Sequence, residues 1–388
     1  MRIKNAVLHT MEGIDYENGW LTAENGVITG LGPMGVCPEK PGEVWLDLDG
    51  AHVYPGFIDA HTHLGMWEDG LGFEGDDGNE ETDPLTPQLR AIDALNPMDR
   101  CFREALEAGV TTVVTGPGSA NPIGGQMAAV KTYGRCIDKM IVKAPLAIKM
   151  ALGENPKTVY HGKHQAPVTR MATAALIREQ LYKAERYLDD LEKSRAEDEF
   201  DPPEYDARCE ALLPLLRGEI QAHIHCHRAD DIFTAIRIGE EFNLDYVIVH
   251  GTEGHLITEE LAEKKARVLS GPILCDRSKP ELRNLTPACP GKLAASGVQT
   301  AIITDHPVIP LQYLPLCAGL AAREGMEPAA ALRAITIEPA RICGIDNRVG
   351  SLAVGKDADC VVFRADPLTL AAKPEWVFVA GREIGKEE

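Results

Sequence analysis

The sequence predicts an α/β protein built on a (β/α)8 barrel of the TIM type. Three observations predict it. Between Val53 and Asn347, apolar strand-like runs alternate with helical stretches, which marks βαβ units and a parallel sheet. About eight such runs can be counted, which suits a barrel of ordinary length. The first run ends in His-Thr-His, whereas a doubly wound sheet, the structural alternative, usually carries a glycine-rich fingerprint there.

The elements follow in order. AVLHTM, WLTAENG and VITGLGP are brief runs closed by glycine or proline, so the first fifty residues read as hairpins. Next come YPGFID, the helical MDRCFREALEAG and the strand VTTVVTG. The stretch TRMATAALIREQLYKAERYLDDLEKSRAEDEF reads as one long helix with a charged, exposed end. EIQAHIHC, DDIFTAIRIGEEFN, LDYVIVHG, ITEELAEKKA, RVLSG, KLAASGV and QTAIITD continue the alternation. Glycine marks helix ends in LEAGV and AASGV. GSLAVGKDADCVVFRADP and EWVFVAGREI then return to strand, turn, strand.

Composition narrows the function. The chain has 388 residues, enough for a large core, and its 44% hydrophobic and 25% charged fractions suit a soluble globular protein. A formal net charge of -20 argues against nucleic acid or an anionic membrane as partner. No apolar run is long enough to span a bilayer. The start, MRIKNAVLHTMEG, lacks the apolar core of a signal peptide. Ten cysteines without Cys-x-x-Cys spacing read as reduced thiols of a cytoplasmic protein. The expected partner is a small-molecule substrate; a homo-oligomer stays open.

In a barrel, chemistry gathers at the C-terminal ends of strands. Polar residues close these runs: His61 and His63 in PGFIDAHTHLG, Glu154 in LAIKMALGE, His223, His225 and His227 in EIQAHIHCH, His250 in LDYVIVH, and Asp305 in QTAIITD. Residues i and i+2 of a strand share a side, so His61 and His63 converge. Imidazole and carboxylate together suit zinc or iron, and manganese with more oxygen. No G-x-S-x-G elbow, P-loop or dinucleotide fingerprint competes.

PGFIDAHTHLG, the later strand-end histidines, TDHP and the closing GSLAVGKDADCVVF resemble the metal-dependent amidohydrolase superfamily over essentially the whole chain. GENPK, Gly153 to Lys157, is similar to a segment of the branch related to imidazolonepropionase. The resemblance implies a barrel over residues 53–347, a small β-sandwich from residues 1–52 and 348–388, and one or two divalent metals that activate water. It implies His61 and His63 as the first-strand ligands, His225 as the fifth and His250 as the sixth. Asp305 matches an eighth-strand aspartate that contacts metal and takes the proton of the attacking water. Many relatives carry a carboxylated lysine on the fourth strand. Lys149 lies inside that run, but Glu154 lies at its tip and is the preferred ligand here.

The other polar residues divide as follows. His227 is assigned to substrate or to the surroundings of the ligands, and His223 to a buried hydrogen-bonded role. Asp59 is expected to orient a ligand histidine; His161 and His164 carry no assignment. Arg228, Lys279, Arg283, Lys157 and Lys163 lie in loops after strands and suggest recognition of a carboxylate, against the plainer reading that they pair with neighbouring acids. PGSANPIGGQ, ending on Gln126, is expected to wall the opposite side of the pocket. The predicted reaction is hydrolysis of an amide or cyclic amide. A deaminase on the same scaffold and a non-enzymatic metal-binding scaffold are the alternatives.

Overall fold

A computed structural model describes residues 1–385. The chain opens with β1 (Arg2–Leu8), β2 (Tyr16–Glu24), β3 (Val27–Pro33), β4 (Leu46–Asp47) and β5 (His52–Pro55). In β2, buried positions alternate with more exposed ones, as a half-covered strand requires.

Eight strands then form a second sheet in chain order: β6 (Phe57–Thr62), β7 (Val110–Thr115), β8 (Ile123–Lys131), β9 (Ile141–Ala151), β10 (Gln221–Cys226), β11 (Tyr246–His250), β12 (Arg267–Ser270) and β13 (Gln299–Ile302). β13 returns to β6 and leaves the ring nearly closed. Asp59 stitches that seam by accepting from Thr304 N–H (2.9 Å) and Thr304 Oγ1 (2.6 Å), and His63 N–H donates to the His306 carbonyl at 2.8 Å.

One strand departs from the all-parallel pattern. β8 runs antiparallel to both β7 and β9. The link from β7 to β8 spans only residues 116–122, whereas a parallel crossover takes about a dozen residues or more. The glycine- and proline-rich run therefore turns the chain straight back.

Helices cover the outside. Asp99 caps the helix Arg100–Glu107 by accepting from Cys101 N–H, and Gly109, at φ +89°, takes the left-handed turn that follows. The long predicted helix forms over Arg170–Ala196 and buries Ala174, Ile177, Leu181 and Ala184. These pack with Ile148, Met150 and Ile224 of the barrel strands. No helix among the described residues is long and apolar enough to cross a membrane.

The chain closes with β14 (Cys360–Phe363), β15 (Trp376–Val379) and β16 (Arg382–Glu383). β14 pairs antiparallel with β5, so both chain ends share one eight-stranded sheet around its own apolar cluster, which includes Ile3, Leu21, Val53 and Val362.

Candidate metal centre

Register sets out the floor of the site. Lys149 pairs with His223, and His223 with Val247. One layer higher, Ala151 pairs with His225 and His225 with Val249. Paired residues share a face, so Lys149, His223 and His225 all belong to it. His250 pairs with Cys226 and Ser270, and regular alternation would send it to the opposite face. It instead has φ +74°, and its ring lies 4.4 Å from that of His225 and 5.4 Å from that of His61. Asp305, at φ +56°, also leaves the extended conformation. Both residues thus take the left-handed backbone region that most side chains avoid.

Two trios of donor atoms result. His61, His63 and Asp305 form one, and His225, His227 and His250 the other; within each, the atoms lie within 4.8 Å of one another. Asp305 Oδ1 stands 3.4 Å from His61 Nε2 and 3.3 Å from His63 Nε2. Burial alone would raise the Asp305 pKa, but His250, His61 and His63 hold it well below the usual carboxylate range. Lys149 is fully buried, with Nζ 3.2 Å from His61 Nε2. Burial drives its pKa down to about 8.

The hydrogen bonds show what these imidazoles can hold. His63 Nδ1 lies 2.7 Å from the Gly116 carbonyl, and His250 Nδ1 lies 2.7 Å from the Gly271 carbonyl. A carbonyl only accepts, so both Nδ1 atoms carry the proton and both Nε2 atoms present a lone pair. Burial and the charge of Lys149 keep His61 well below its ordinary pKa, and burial takes His250 down to about 4. Neutral, buried lone pairs without donors are costly unless a cation meets them. This donor set fits two divalent cations.

The structure places five of the assigned residues away from the trios. Glu154 does not join the trios. The chain leaves β9 through Gly153 (φ +83°), and Glu154 becomes the first residue of the helix Glu154–Gly162. Its carboxylate accepts from Glu281 N–H at 3.3 Å, while Lys149 occupies the place against His61. Gln126 is not at the centre either. It pairs in β8 with Ile148, whose side chain packs in the outer cluster. Arg228 is engaged elsewhere, forking Asp230 at 2.9 and 2.8 Å. Arg283 has a side chain 67% exposed and 3.6 Å from Glu253. Lys163 likewise pairs with Glu81 at 2.9 Å. Of the cations proposed to clamp a carboxylate, Lys279 reaches the histidines' surroundings, with Nζ 2.7 Å from Glu281 Oε1 and 2.8 Å from Asn155 Oδ1.

Three residues escaped the sequence reading. Glu281 is 1% exposed, and its Oε1 lies 3.6 Å from His227 Nε2 and 3.9 Å from His225 Nε2. Asn155 donates to Ser119 Oγ at 2.7 Å and lies 3.4 Å from His225 Nε2. The GENPK motif points to this segment, though to Glu154 rather than its neighbour. The Trp67 ring meets His63 edge-on at 4.6 Å and is tied to Asp76 through Nε1. Asp59 holds the His61 backbone N–H at 3.1 Å rather than an imidazole, and burial raises its pKa to about 7.

His223 sits below the trios, with Nε2 3.2 Å from Gln221 Oε1. Burial, and then the charge of Lys149, push its pKa down to about 3. It therefore stays neutral in the folded chain where an unfolded histidine, at about 6.5, takes a proton. Below pH 6.5 the unfolded state binds more protons, so stability falls as pH falls from 6.5 toward 3. Metal-free protein is expected to lose about 2 kcal/mol from this residue by pH 5. Thermal unfolding against pH checks this, because His223→Gln should flatten the acid limb. An unchanged slope in the variant would remove His223 as its cause.

A barrel with two imidazole-rich trios and a buried lysine at its strand ends is the constellation of a metal-dependent hydrolase. The chain belongs to the amidohydrolase family, whose model matches residues 52–384. It is 30% identical over 419 residues to amidohydrolase tasK of Hapsidospora irregularis, an alignment covering 98% of this chain and 42% of that protein. The chain thus spans less than half the length of that relative. It is 26% identical over 375 residues to imidazolonepropionase of Nocardia farcinica, covering 90% of this chain and 86% of that one. Among solved structures, an amidohydrolase from Thermotoga maritima MSB8 matches with a TM-score of 0.95 and 41% identity over 100% of both chains.

Proposed function

We propose that this enzyme hydrolyses an amide or cyclic amide C–N bond in a small substrate that bears a carboxylate. The observation that carries the reading is the pair of facing trios with Asp305 against both first-strand histidines. Zinc suits the donors best, with iron or manganese as the alternatives. His61, His63 and Asp305 would hold one divalent ion, and His225 and His250 a second. Such an ion lowers the pKa of a bound water toward ~7 and polarises a carbonyl.

The residues of the chain supply the remaining chemistry. Asp305, whose carboxyl lies well below the usual carboxylate range, accepts a proton from the attacking water. The new C–O bond forms, the C–N bond breaks, and Asp305 returns the proton to the leaving nitrogen. Lys149, with its lowered pKa, has an amine able to add to carbon dioxide. The resulting carbamate would place an anionic oxygen pair beside His61. Trp67 shields one side of His63 from water.

Lys279 is the residue we assign to the substrate carboxylate. Charge-assisted hydrogen bonds contribute about 1.5–3 kcal/mol, or roughly 10–100-fold in binding. Lys279→Met is therefore expected to raise KM by that factor for a substrate with a free carboxyl group and to leave its amidated twin unchanged. Steady-state kinetics on N-acyl amino acids, dipeptides and imidazolone acids, each with its amidated partner, tests this. Equal handling of the free and amidated forms by the native enzyme would sink the carboxylate assignment. Release of ammonia from a ring, without ring or chain opening, would replace amide hydrolysis by deamination.

A further inference from the structure

We propose that His227 is a third imidazole ligand of the second cation, beside His225 and His250, and not a substrate contact. The proposal rests on the metal-centre reading above, but extends it to a residue that the family resemblance leaves without a ligand role.

The geometry carries it. His227 follows the end of β10 and stands two residues beyond His225, on the same side. It is 2% exposed, as buried as its two neighbours. Its ring stacks on His250 at 4.5 Å and 17°, and meets His225 edge-on at 4.7 Å and 88°. A ligand nitrogen of each of the three lies within 4.8 Å of those of the other two. Nδ1 of His227 is tied to Thr252 Oγ1 at 2.7 Å, which fixes the ring and leaves Nε2 facing inward. That outer hydrogen bond is the kind that aims a ligating histidine.

Charge points the same way. The first trio contains the Asp305 carboxylate, whereas the second has no anion among its three rings. Glu281 supplies one, since its Oε1 lies 3.6 Å from His227 Nε2 and 3.9 Å from His225 Nε2. A buried carboxylate needs a positive charge beside it. Lys279, 2.7 Å from the same oxygen, meets only part of that need. The carboxylate is held there by a reciprocal brace. Glu154 N–H donates to Glu281 Oε2 at 3.0 Å, and Glu281 N–H donates to Glu154 Oε2 at 3.3 Å. Glu154 thus helps to place an acid beside the second trio without being a ligand itself.

The test uses the full chain loaded with zinc. Anomalous difference maps on either side of the zinc edge should show two peaks, one of them about 2.0–2.1 Å from Nε2 of His225, His227 and His250. A second peak bonded to His225 and His250 with His227 Nε2 outside bonding distance would overturn the proposal. So would a single peak at His61 and His63. Metal titration of variants gives an independent reading. His227→Asn should weaken one equivalent by more than ~100-fold and change the visible spectrum of the cobalt-substituted protein. Thr252→Val, which only frees Nδ1, should weaken the same equivalent by roughly 10–100-fold. His63→Asn should weaken the other. If His227→Asn keeps both equivalents at native affinity with an unchanged cobalt spectrum, His227 is not a ligand. If the native chain itself takes up no metal, the metal-centre reading fails first and takes this proposal with it.

Discussion

Asp305→Asn, loaded with zinc to full metal content, is expected to lower kcat by at least ~10², the usual contribution of a positioned proton carrier. Asparagine has nearly the same shape and still offers an oxygen to a cation held by His61 and His63, whose Nε2 atoms stand 3.4 and 3.3 Å from the carboxylate. It also tolerates the left-handed backbone of position 305, at φ +56°, better than most residues. The substitution therefore removes the base and spares the frame. Turnover measured beside metal analysis and a thermal unfolding curve decides the matter. Near-native kcat in a variant with full metal content would take the proton-carrying role from Asp305.

The second large effect belongs to Lys149. Lys149→Ala is expected to lose at least ~10² in activity together with one or both metals, because the side chain lies wholly buried against His61. Glu154→Gln should change turnover less than ~2-fold, since an amide oxygen still accepts the Glu281 N–H and the Glu154 N–H still donates to Glu281. If Lys149 acts as a carbamate, activity should fall when dissolved carbon dioxide is removed and return with bicarbonate. Intact-mass analysis of gently handled protein should show the adduct. Loss of metal in Glu154→Gln with full retention in Lys149→Ala would give the site back to Glu154.

The contrast between these residues shows how far the sequence could be read. His61, His63 and His225 were legible because strand spacing of two places them on one face, and they stand where a strand ends. His250 was legible as a strand end, although its face was not: the pairing with Cys226 and Ser270 points it outward, and only the φ of +74° brings it in. Glu154 misled because the tip of an apolar run looked like the tip of the strand. The chain had already turned at Gly153 into a helix, and the long stem of Lys149 reaches the site from within the strand.

Other features need tertiary structure. Glu281 sits in a loop that reads as basic, DRSKPELRN, and stands beside the histidines held by Lys279 and by a brace to Glu154, 127 residues away. The reversal of β8 follows from the shortness of residues 116–122, a constraint that the strand pattern alone does not display. Arg228 was offered to substrate, yet RADD places two acids within three residues of it, and the structure shows the local pair with Asp230. Neighbouring charges in a loop satisfy one another first.

Metal content of the native chain, prepared without chelator and measured by inductively coupled plasma mass spectrometry, tests the central claim most directly. Two trios, five imidazoles and the Asp305 carboxylate, predict close to two equivalents of a divalent transition metal per chain, tightly held at neutral pH. Less than about half an equivalent of any such metal, in protein that unfolds cooperatively and has been offered zinc, would contradict it.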